Sequence, residues 1–516
     1  MDLKLFFRKN WAVVLFFIFL AIFRLSLTTQ GHRFDLDERR YFWAIFFWND
    51  ILHGRFFDAV SCFFSVSARP GFILFSLIPS GLQILLVHLN LISTADMRFF
   101  DIPSIFNVFI TLINSFLFYR ILILVVSNRG LAFVGVVIYS LLVNTNVYIR
   151  HLFPYDCSLL LFFIAIYLIL KHQSRGLLDN RFAVMAGLLC ALGSLTYPGY
   201  YALALVVAIF LASSFRSNPK VLLVYAINFL STILFFEILA RLVGKSYLLD
   251  CSILSSTVNH GSFTEGFLFI TRYLKDVEGL IGVVLLTLFM IYSICFLPKD
   301  HSSAKWLVLA AILMYSLHAI LGLVFFKMVF YGRTLHLYFP FMIFALVRVL
   351  TFIPLQRWRS WAAGVLLACS IISFIPFAYT YGQLSYPHDI FFKYLSRIPE
   401  DKILWIESDK KVDPAIYKNY AAVAVNLKAY FGVKETYVST VRPSNMVLVV
   451  DKPHPLNFPS YTFENYTPEE RKLLKERKYR MMIFVNPQKM KEYESIRSDN
   501  SQSTLGVFLN KVLQNW

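Results

Sequence analysis

Carboxylates and arginines crowd one short segment near the N-terminus. Residues 33–41 contain three arginines and three acidic side chains. A carboxylate within about 3 Å of a hydroxyl group can remove its proton during nucleophilic attack. Arginine binds phosphate through two parallel hydrogen bonds from its planar guanidinium group. The segment therefore favours chemistry on a hydroxyl group beside a phosphate, and the plainer alternative is a solvated loop that neutralises its own charge.

An aromatic, amphipathic segment follows directly. Tyr41–His53 reads YFWAIFFWNDILH, and Gly54 comes next. Aromatic side chains concentrate at the membrane–water interface, where a helix can lie with its apolar face in the lipid. We expect an interfacial helix that ends at Gly54 and holds the acidic segment at the membrane surface.

Two further polar groups interrupt apolar sequence. The first is expected to line a substrate site, and the alternative is an ordinary polar turn. The second is expected to bind a phosphate, and the alternative is a pair of residues that anchor a helix at its outer end. These groups are Arg150, His151, Tyr155 and Asp156, and then Arg333 and His336.

Charged residues inside apolar runs have structural explanations. Glu237 and Arg241 are four positions apart, which favours an ion pair along one helix face. Arg24 lies near the end of the first apolar run. We expect its long side chain to extend to the interface, with the charged group in water.

The composition is that of a membrane protein. Of 516 residues, 58% are hydrophobic and 16% are charged, whereas soluble chains average about 45–50% and about 25%. These values exclude a disordered or collagen-like chain and an ordinary soluble enzyme. The net charge of +18 is typical of cytoplasmic loops and lipid contact, and the absence of a long basic run in the sequence argues against nucleic acid as a partner.

Apolar runs of roughly 20 residues, the length that crosses a bilayer, set the fold class. The chain is predicted to be mainly α, a polytopic membrane helical bundle of about 11 spans with interfacial helices. The first run is Trp11–Thr29, and Gly71–Leu89 is an ambiguous stretch that we expect to lie in the interface. The remaining runs fall near 102–126, 131–148, 158–170, 182–196, 200–213, 221–243, 280–297, 306–325, 338–353 and 361–381.

The distribution of positive charge predicts the orientation. If Gly71–Leu89 does not cross the membrane, the short basic loops all lie on the same side as the N-terminus. Basic loops occur mainly on the cytoplasmic side of a membrane. These loops are 128–129, 171–181, 216–220, 299–305 and 357–359. We therefore expect a cytoplasmic N-terminus and an extracytoplasmic C-terminus.

Residues 384–516 are predicted to form a small α/β soluble domain. Pro414–Phe431 and residues 467–479 carry helix signals. The β-branched and aromatic segments that predict strands are Lys402–Ser408, Thr436–Val441, Met446–Val450 and Met481–Val485. This divides the chain into a membrane domain, 1–383, with a first outer loop at 30–101, and an extracytoplasmic domain, 384–516.

The segment Asp37-Glu38-Arg39-Arg40-Tyr41, followed by Gly54 and Arg69-Pro70, resembles the D-E-x-R-Y…G…R-P pattern of polytopic GT-C glycosyltransferases. The aminoarabinose lipid A transferases and protein O-mannosyltransferases are the most similar by pattern. Residues 98–106, 150–156 and 331–340 resemble further parts of that family, so the likeness covers about residues 1–380. It departs at Gly71 and at Asp101, where many relatives carry other residues, and residues 384–516 are outside it.

The resemblance implies a membrane glycosyltransferase that transfers a sugar from a polyprenyl-phosphate donor, with inversion at the anomeric carbon. Asp37 is then the general base, and Glu38 orients the substrate or substitutes for Asp37. No cofactor and no essential metal are expected, because arginines crowd the acidic segment and compete with a cation. The substrate-binding residues implied are Arg40, Tyr41, Arg150, His151, Tyr155, Asp156, Arg333 and His336.

Two other functions stay open. The first is a polytopic lipid or solute transporter without glycosyl transfer, and the second is a noncatalytic assembly subunit. As partners we expect the sugar donor, membrane lipids, and a lipid, glycan or protein acceptor. The chain ends at Gln514-Asn515-Trp516 without a retrieval signal, which favours a bacterial inner membrane over an endoplasmic reticulum.

Overall fold

The computed structural model describes residues 3–28, 39–65, 69–92, 98–149, 151–173, 180–215, 219–257, 268–325, 332–383, 402–408, 436–439, 447–450 and 479–485. The first half of the helices in the described residues comprises α1 (Leu3–Thr28), α2 (Arg39–Leu52), α3 (Phe56–Cys62), α4 (Pro70–His88), α5 (Arg98–Val126), α6 (Arg129–Leu141), α7 (Asn144–Val147), α8 (Tyr155–Gln173) and α9 (Asn180–Thr196). The second half comprises α10 (Tyr201–Ser214), α11 (Lys220–Leu242), α12 (Tyr247–Thr257), α13 (Leu268–Asp276), α14 (Gly279–Ile291), α15 (Ser303–Leu323), α16 (Gly332–Leu335), α17 (Phe339–Phe352) and α18 (Gln356–Gln383).

The apolar runs of the sequence are helical in the structure. Within the described residues, eight helices are long and apolar enough to cross a membrane, which indicates an integral membrane protein. Four shorter apolar helices, α6, α9, α10 and α17, accompany them. The predicted run at 131–148 is divided, because Leu142 takes an extended conformation between α6 and α7.

Successive long helices run in opposite directions. The start of α8 meets the end of α9, where Ser158 Oγ donates to Gly193 O at 2.8 Å. The start of α14 likewise meets the end of α18, where the Ile281 N–H donates to Ser373 Oγ at 3.0 Å. This alternation collects the ends of α1, α6 and α9 with the starts of α5, α8, α14 and α17 at one end of the bundle.

Glycines allow two of the helix contacts. A Cβ added at Gly187 in α9 would lie 2.6 Å from Tyr225 O in α11. One added at Gly135 in α6 would lie 2.8 Å from Val347 Cγ2 in α17. Without a hydrophobic effect between lipid-facing helices, close backbone approach through small residues stabilises such pairs.

The helix that follows the acidic segment is fixed by α4. Trp48 Nε1 in α2 donates to Leu77 O at 2.9 Å, and Gly81 leaves room for its indole ring. The prediction that a helix ends at Gly54 is confirmed: α2 ends at Leu52 and Gly54 has φ of +72°, a conformation that favours glycine. That α2 lies in the interface stays a prediction.

α4 covers the ambiguous stretch and has a lipid-compatible face. Leu74, Ile78, Leu82 and Leu85 are exposed at helical spacing, while Phe72 and Ser76 are buried. By length and composition α4 belongs to the eight helices that can cross a membrane. Whether it does so decides the orientation of all later helices.

The described part of residues 384–516 forms one four-stranded sheet. Its strands are β1 (Lys402–Ser408), β2 (Thr436–Ser439), β3 (Val447–Val450) and β4 (Tyr479–Val485), in the order β2-β1-β4-β3. β1 is parallel to β2 and antiparallel to β4, which is antiparallel to β3. The helices predicted at 414–431 and 467–479 lie outside the described residues, except that β4 begins at Tyr479.

Candidate functional site

Polar side chains from distant parts of the chain meet beside the middle of α5, where several other helices begin or end. Each is 5% exposed or less. They come from α1, α5, α7, the start of α8, the position before α14 and the position after α16. We call them the polar cluster: Arg24, Asn114, Asn144, Asn146, Asp156, Glu278 and His336.

Asp156 and His336 form the centre of the polar cluster. His336 Nε2 lies 3.4 Å from Asp156 Oδ1, and both side chains are buried. Asn114 Nδ2 donates to the same carboxylate oxygen at 3.2 Å and to Asp156 O at 2.9 Å. The structure therefore brings together one residue from each of the two predicted polar groups.

Asn144 connects His336 to three other elements. Its Oδ1 is 2.8 Å from His336 Nδ1. Its Nδ2 donates to Tyr273 OH at 2.6 Å and to Gly332 O at 2.9 Å. A buried amide with this many partners holds the imidazole ring in one orientation.

Glu278 supports Asn144 from the opposite side. Its carboxylate accepts the backbone N–H groups of Val143 and Asn144, both at 2.8 Å. Burial raises the pKa of Glu278 to about 7, although the two N–H groups lower it in part. This carboxyl group therefore keeps its proton to a higher pH than an exposed glutamate does.

Arg24 points into the bundle, and the prediction that it extends to the interface is wrong. It is 1% exposed. Its Nε donates to Asn146 Oδ1 at 3.1 Å and its Nη1 to Ser115 Oγ at 3.3 Å, and its charge attracts Asp156. These partners lie on other helices. Their hydrogen bonds to the guanidinium group take the place of those that water would make at the membrane interface.

Aromatic rings surround the polar cluster. Tyr148 packs edge-on against His336 and Tyr155, with ring centroids 6.1 Å and 5.4 Å away. Tyr155 in turn packs against Tyr197 at 4.9 Å, and the guanidinium group of Arg69 lies 4.9 Å from the Tyr197 ring centroid. Tyr155 is fully buried, and its ring also lies near those of Phe153 and Tyr200, with centroids 5.2 Å and 6.3 Å away.

An open cavity adjoins the polar cluster between α2, α4, α5 and the loop before α8. Apolar side chains such as Phe72, Phe106 and Phe153 make up most of its wall, and Tyr41 and Asn107 add polar atoms. Cys157, the residue after Asp156, also lines it.

Tyr41, which lines this cavity, and His151, which precedes the lining residue Leu152, are both held by neighbouring side chains. Tyr41 OH donates to Gln83 Oε1 at 2.5 Å. The His151 ring stacks on Phe153 with centroids 4.9 Å apart, and its carbonyl oxygen accepts from Asn107 Nδ2 at 3.0 Å. Both residues are therefore close to the Asp156 segment, and their binding roles stay predictions.

Of the remaining predicted site residues, the structure describes the backbone of some, and others lie outside the described residues. Arg40 is buried, at 9% exposure. Arg333 belongs to α16, and its side chain lies outside the described residues. Asp37, Glu38 and Arg150 also lie outside them, so the assignment of the base stays a prediction.

The predicted Glu237–Arg241 ion pair is confirmed. Arg241 Nε donates to Glu237 Oε1 at 2.7 Å. The same carboxylate accepts from Ser246 Oγ at 2.8 Å and from the Leu248 N–H at 2.9 Å. The pair thereby fixes the first turn of α12.

Sequence reasoning missed four members of the polar cluster, namely Asn114, Asn144, Asn146 and Glu278. Glu278 is a single acidic residue directly before an apolar run, and Asn144 and Asn146 stand at alternate positions at the end of one. Such residues are costly in lipid unless they have internal partners. A polar residue within or beside an apolar run is therefore the sequence feature that could have identified these four residues.

Within the described residues, no three His, Cys, Asp or Glu side chains lie together as a metal site requires. The prediction of no essential metal is untested. No protein-family model matches this chain, and a comparison with curated proteins finds no similar one.

Proposed function

We propose that this chain is an integral-membrane glycosyltransferase. It transfers a sugar from a polyprenyl-phosphate donor to a lipid, glycan or protein acceptor on the extracytoplasmic face, with inversion of the anomeric carbon. Asp37 removes the proton of the acceptor hydroxyl, and Glu38 orients the substrate. The donor is a co-substrate, and no further cofactor takes part.

The position of the polar cluster is the observation that supports this proposal best. Asp156 is the second residue of α8, Glu278 directly precedes α14, and Arg24 is in the last two turns of α1. These three members are thus near helix ends, where a lipid headgroup is reached, whereas Asn114 lies near the middle of α5. A transport site belongs near the middle of the membrane.

The packing of α2 supports the proposal as well. Arg40 and Tyr41 come one residue after Asp37 and Glu38 in the sequence and are buried. Tyr41 packs with Phe72 and Leu152, and Leu152 belongs to the loop that leads to Asp156. The segments 37–41 and 150–156, which both belong to the family resemblance, are therefore in contact although they are far apart in sequence.

In the mechanism, the two groups at the reacting centre have separate tasks. The base takes the hydroxyl proton as that oxygen attacks C1, and the bond between C1 and the phosphate oxygen breaks on the opposite side. The negative charge that develops on the leaving phosphate is stabilised by the proposed phosphate-binding residues, Arg333 and His336. Arg150, His151, Tyr155 and Asp156 are proposed to line the acceptor side.

The topology we propose has about 11 spans, with α4 outside the count. The N-terminus is cytoplasmic, and the small α/β domain at 384–516 is extracytoplasmic, in a bacterial inner membrane. The basic connections support this orientation, because positive loops favour the cytoplasm. They join α5 to α6, α8 to α9, α10 to α11, α14 to α15 and α17 to α18.

A transporter is the second candidate, and one observation favours it. Arg24, Asp156, Glu278 and His336 are buried among apolar helices, as are the charged chains of proton-coupled transporters. Under this alternative a labelled lipid or solute crosses the membrane without any glycosidic product.

One assay separates the two functions. Vesicles that contain the purified protein receive a polyprenyl-phosphate sugar labelled in the sugar, together with membrane extract from cells that lack the protein. We expect label in a new product with the inverted anomeric configuration, and no product in protein-free vesicles. Label that crosses the vesicle membrane without a product would support transport and overturn the proposal.

A further inference from the structure

α5 carries a line of small polar side chains through otherwise apolar sequence. Each member lies three or four positions from another, so the members share one face of the helix. All are buried, with exposures of 6% or less. Because polar groups are costly in lipid without internal partners, this face is expected to meet polar groups of the protein. We call it the α5 polar face: Ser104, Asn107, Thr111, Asn114 and Ser115.

Asn107 on this face reaches the backbone between α7 and α8. Its Nδ2 donates to His151 O at 3.0 Å. It also donates, more weakly, to Tyr148 O and Ile149 O, both at 3.4 Å. Carbonyl oxygens only accept hydrogen bonds, so the Asn107 atom that faces them must be the nitrogen. The carbonyl groups on both sides of position 150 are therefore bonded to one side chain.

Asn114 holds the other end of the same segment. Its Nδ2 donates to Asp156 O at 2.9 Å and to Asp156 Oδ1 at 3.2 Å. Asn107 and Asn114 are seven positions apart, which is about 10 Å along the axis of α5. The residues 149–156 would span more than about 25 Å if they were extended. The segment is therefore folded compactly between two anchors on one helix.

The described hydrogen bonds of Asn107 go to the backbone of this segment. They set the path of the segment and do not select the rotamer of any one of its side chains. Asn107 also lines the open cavity beside the segment. Its effect on a bound molecule is therefore expected to act through the segment.

We propose that Asn107 is a positioning residue for the acceptor side of the reaction. It holds the segment 148–156, whose side chains are proposed to line that side, in the place where the acceptor binds. The inference rests on the proposed function, because the acceptor role of this segment belongs to that proposal.

Steady-state kinetics of Asn107→Ala test the inference. In the vesicle assay, the labelled polyprenyl-phosphate sugar and the membrane extract are varied separately. A displacement of about 1 Å in a positioned group can cost about 100-fold in rate, so the amount of extract that gives the half-maximal rate should rise at least about 10-fold. The donor concentration that gives the half-maximal rate should stay as in the wild type. A purely structural role lowers the rate with the folded fraction and leaves both half-maximal values unchanged, and that result would overturn the inference.

Asn228→Ala is the matched control. It removes a half-buried amide on α11 that donates to Val224 O of the same helix. Both half-maximal values should remain those of the wild type. If this variant raised the extract requirement as much as Asn107→Ala does, the effect would not come from the segment 148–156 and the inference would be wrong.

Hydrogen exchange measures the position of the segment without any substrate. In the full chain reconstituted in vesicles, the backbone amides of 148–156 should exchange faster in Asn107→Ala than in the wild type, while those of α15 should not change. Equal exchange in the two proteins would contradict the inference. If Asn107→Ala does not fold, the wild type decides: exchange in 148–156 as fast as in the exposed turn at 127–130 would show that the segment is not held.

The two proposals fail in different ways. A wild-type protein that forms no product overturns the proposed function and the acceptor role with it. Wild-type transfer together with an unchanged extract requirement in a folded Asn107→Ala protein overturns the role of Asn107 alone.

Discussion

The carboxylate of Glu278 accepts the backbone N–H of Asn144 at 2.8 Å. Its other oxygen accepts the N–H of Val143 at the same distance. Asn144 in turn meets His336. A residue between α13 and α14 therefore fixes the centre of the polar cluster, although Glu278 has no described contact with His336 itself.

Glu278 should make stability depend on pH. Burial raises its pKa from 4.5 to about 7, so the native state binds more protons than the unfolded state between these values. The stabilising contribution is complete below pH 4.5 and falls as the pH rises to about 7, by about 3 kcal/mol in total. Thermal unfolding of wild type and Glu278→Gln between pH 5 and 8 should show an advantage of the wild type that shrinks with pH.

The control for this measurement is Asp58→Asn, which removes a carboxylate that is 69% exposed. It should leave the pH dependence of unfolding as in the wild type. A constant difference between wild type and Glu278→Gln across the pH range would contradict the account.

Replacing Arg24 should destabilise the protein. Arg24→Met keeps much of the side-chain volume but leaves Asn146 Oδ1 and the buried Asp156 without their cation. Loss of one partner of a buried charged group costs about 3 kcal/mol. Chemical unfolding of the reconstituted protein measures this. Arg55→Met, which removes an arginine that is 48% exposed, should cost less than about 1 kcal/mol, and equal effects would show that Arg24 is at the surface.

Local sequence predicts the helices well, because length and apolarity determine them. The run predicted at 221–243 is α11, Lys220–Leu242, and the run at 158–170 is α8, which is about one turn longer at each end. Basic residues likewise predict which connections lie at one end of the bundle.

The polar cluster could not be predicted in the same way. Whether Arg24 faces water or Asn146 depends on the rotation of α1 against α5 and α7, and residues more than a hundred positions away set that rotation. Asp156 and His336 were each candidates, but their contact depends on how α8 packs beside the segment after α16. Pairing between helices is a property of tertiary structure, which no single segment encodes.

Asp300 should stabilise the opposite end of the bundle. Arg348 donates to its two carboxylate oxygens at 2.8 and 2.9 Å, and Tyr292 OH donates at 2.6 Å. Burial opposes ionisation, but these bonds and the Ser302 backbone lower the pKa of Asp300 to about 2. Its contribution is present above the ordinary value of 3.8 and is lost as the pH falls through about 2, so it should be constant between pH 5 and 8.

A double-mutant cycle measures this pair. Asp300→Asn and Arg348→Met should each cost about 3 kcal/mol of unfolding free energy, and the double variant should cost much less than their sum. Additive losses would show that the two side chains do not interact in solution.

Cysteine labelling should determine whether α4 crosses the membrane. Asn90 is exposed just after α4, and His301 is exposed between α14 and α15. If α4 does not cross, a membrane-impermeant thiol reagent should label Asn90→Cys in intact cells, above the background of the wild type. His301→Cys should need permeabilised cells. If Asn90→Cys were labelled only in permeabilised cells, α4 would cross the membrane and the later helices would have the opposite orientation.

The identity of the base is the central claim of the proposed function. Asp37→Asn removes the carboxylate that is proposed to take the acceptor proton, and Asp58→Asn removes one on α3 that is exposed and outside the site. Both variants are compared with wild type in the vesicle assay after their unfolding curves are shown to match. The account predicts that Asp37→Asn loses at least about 100-fold in transfer rate while Asp58→Asn keeps the wild-type rate. Full transfer by a folded Asp37→Asn protein would contradict it.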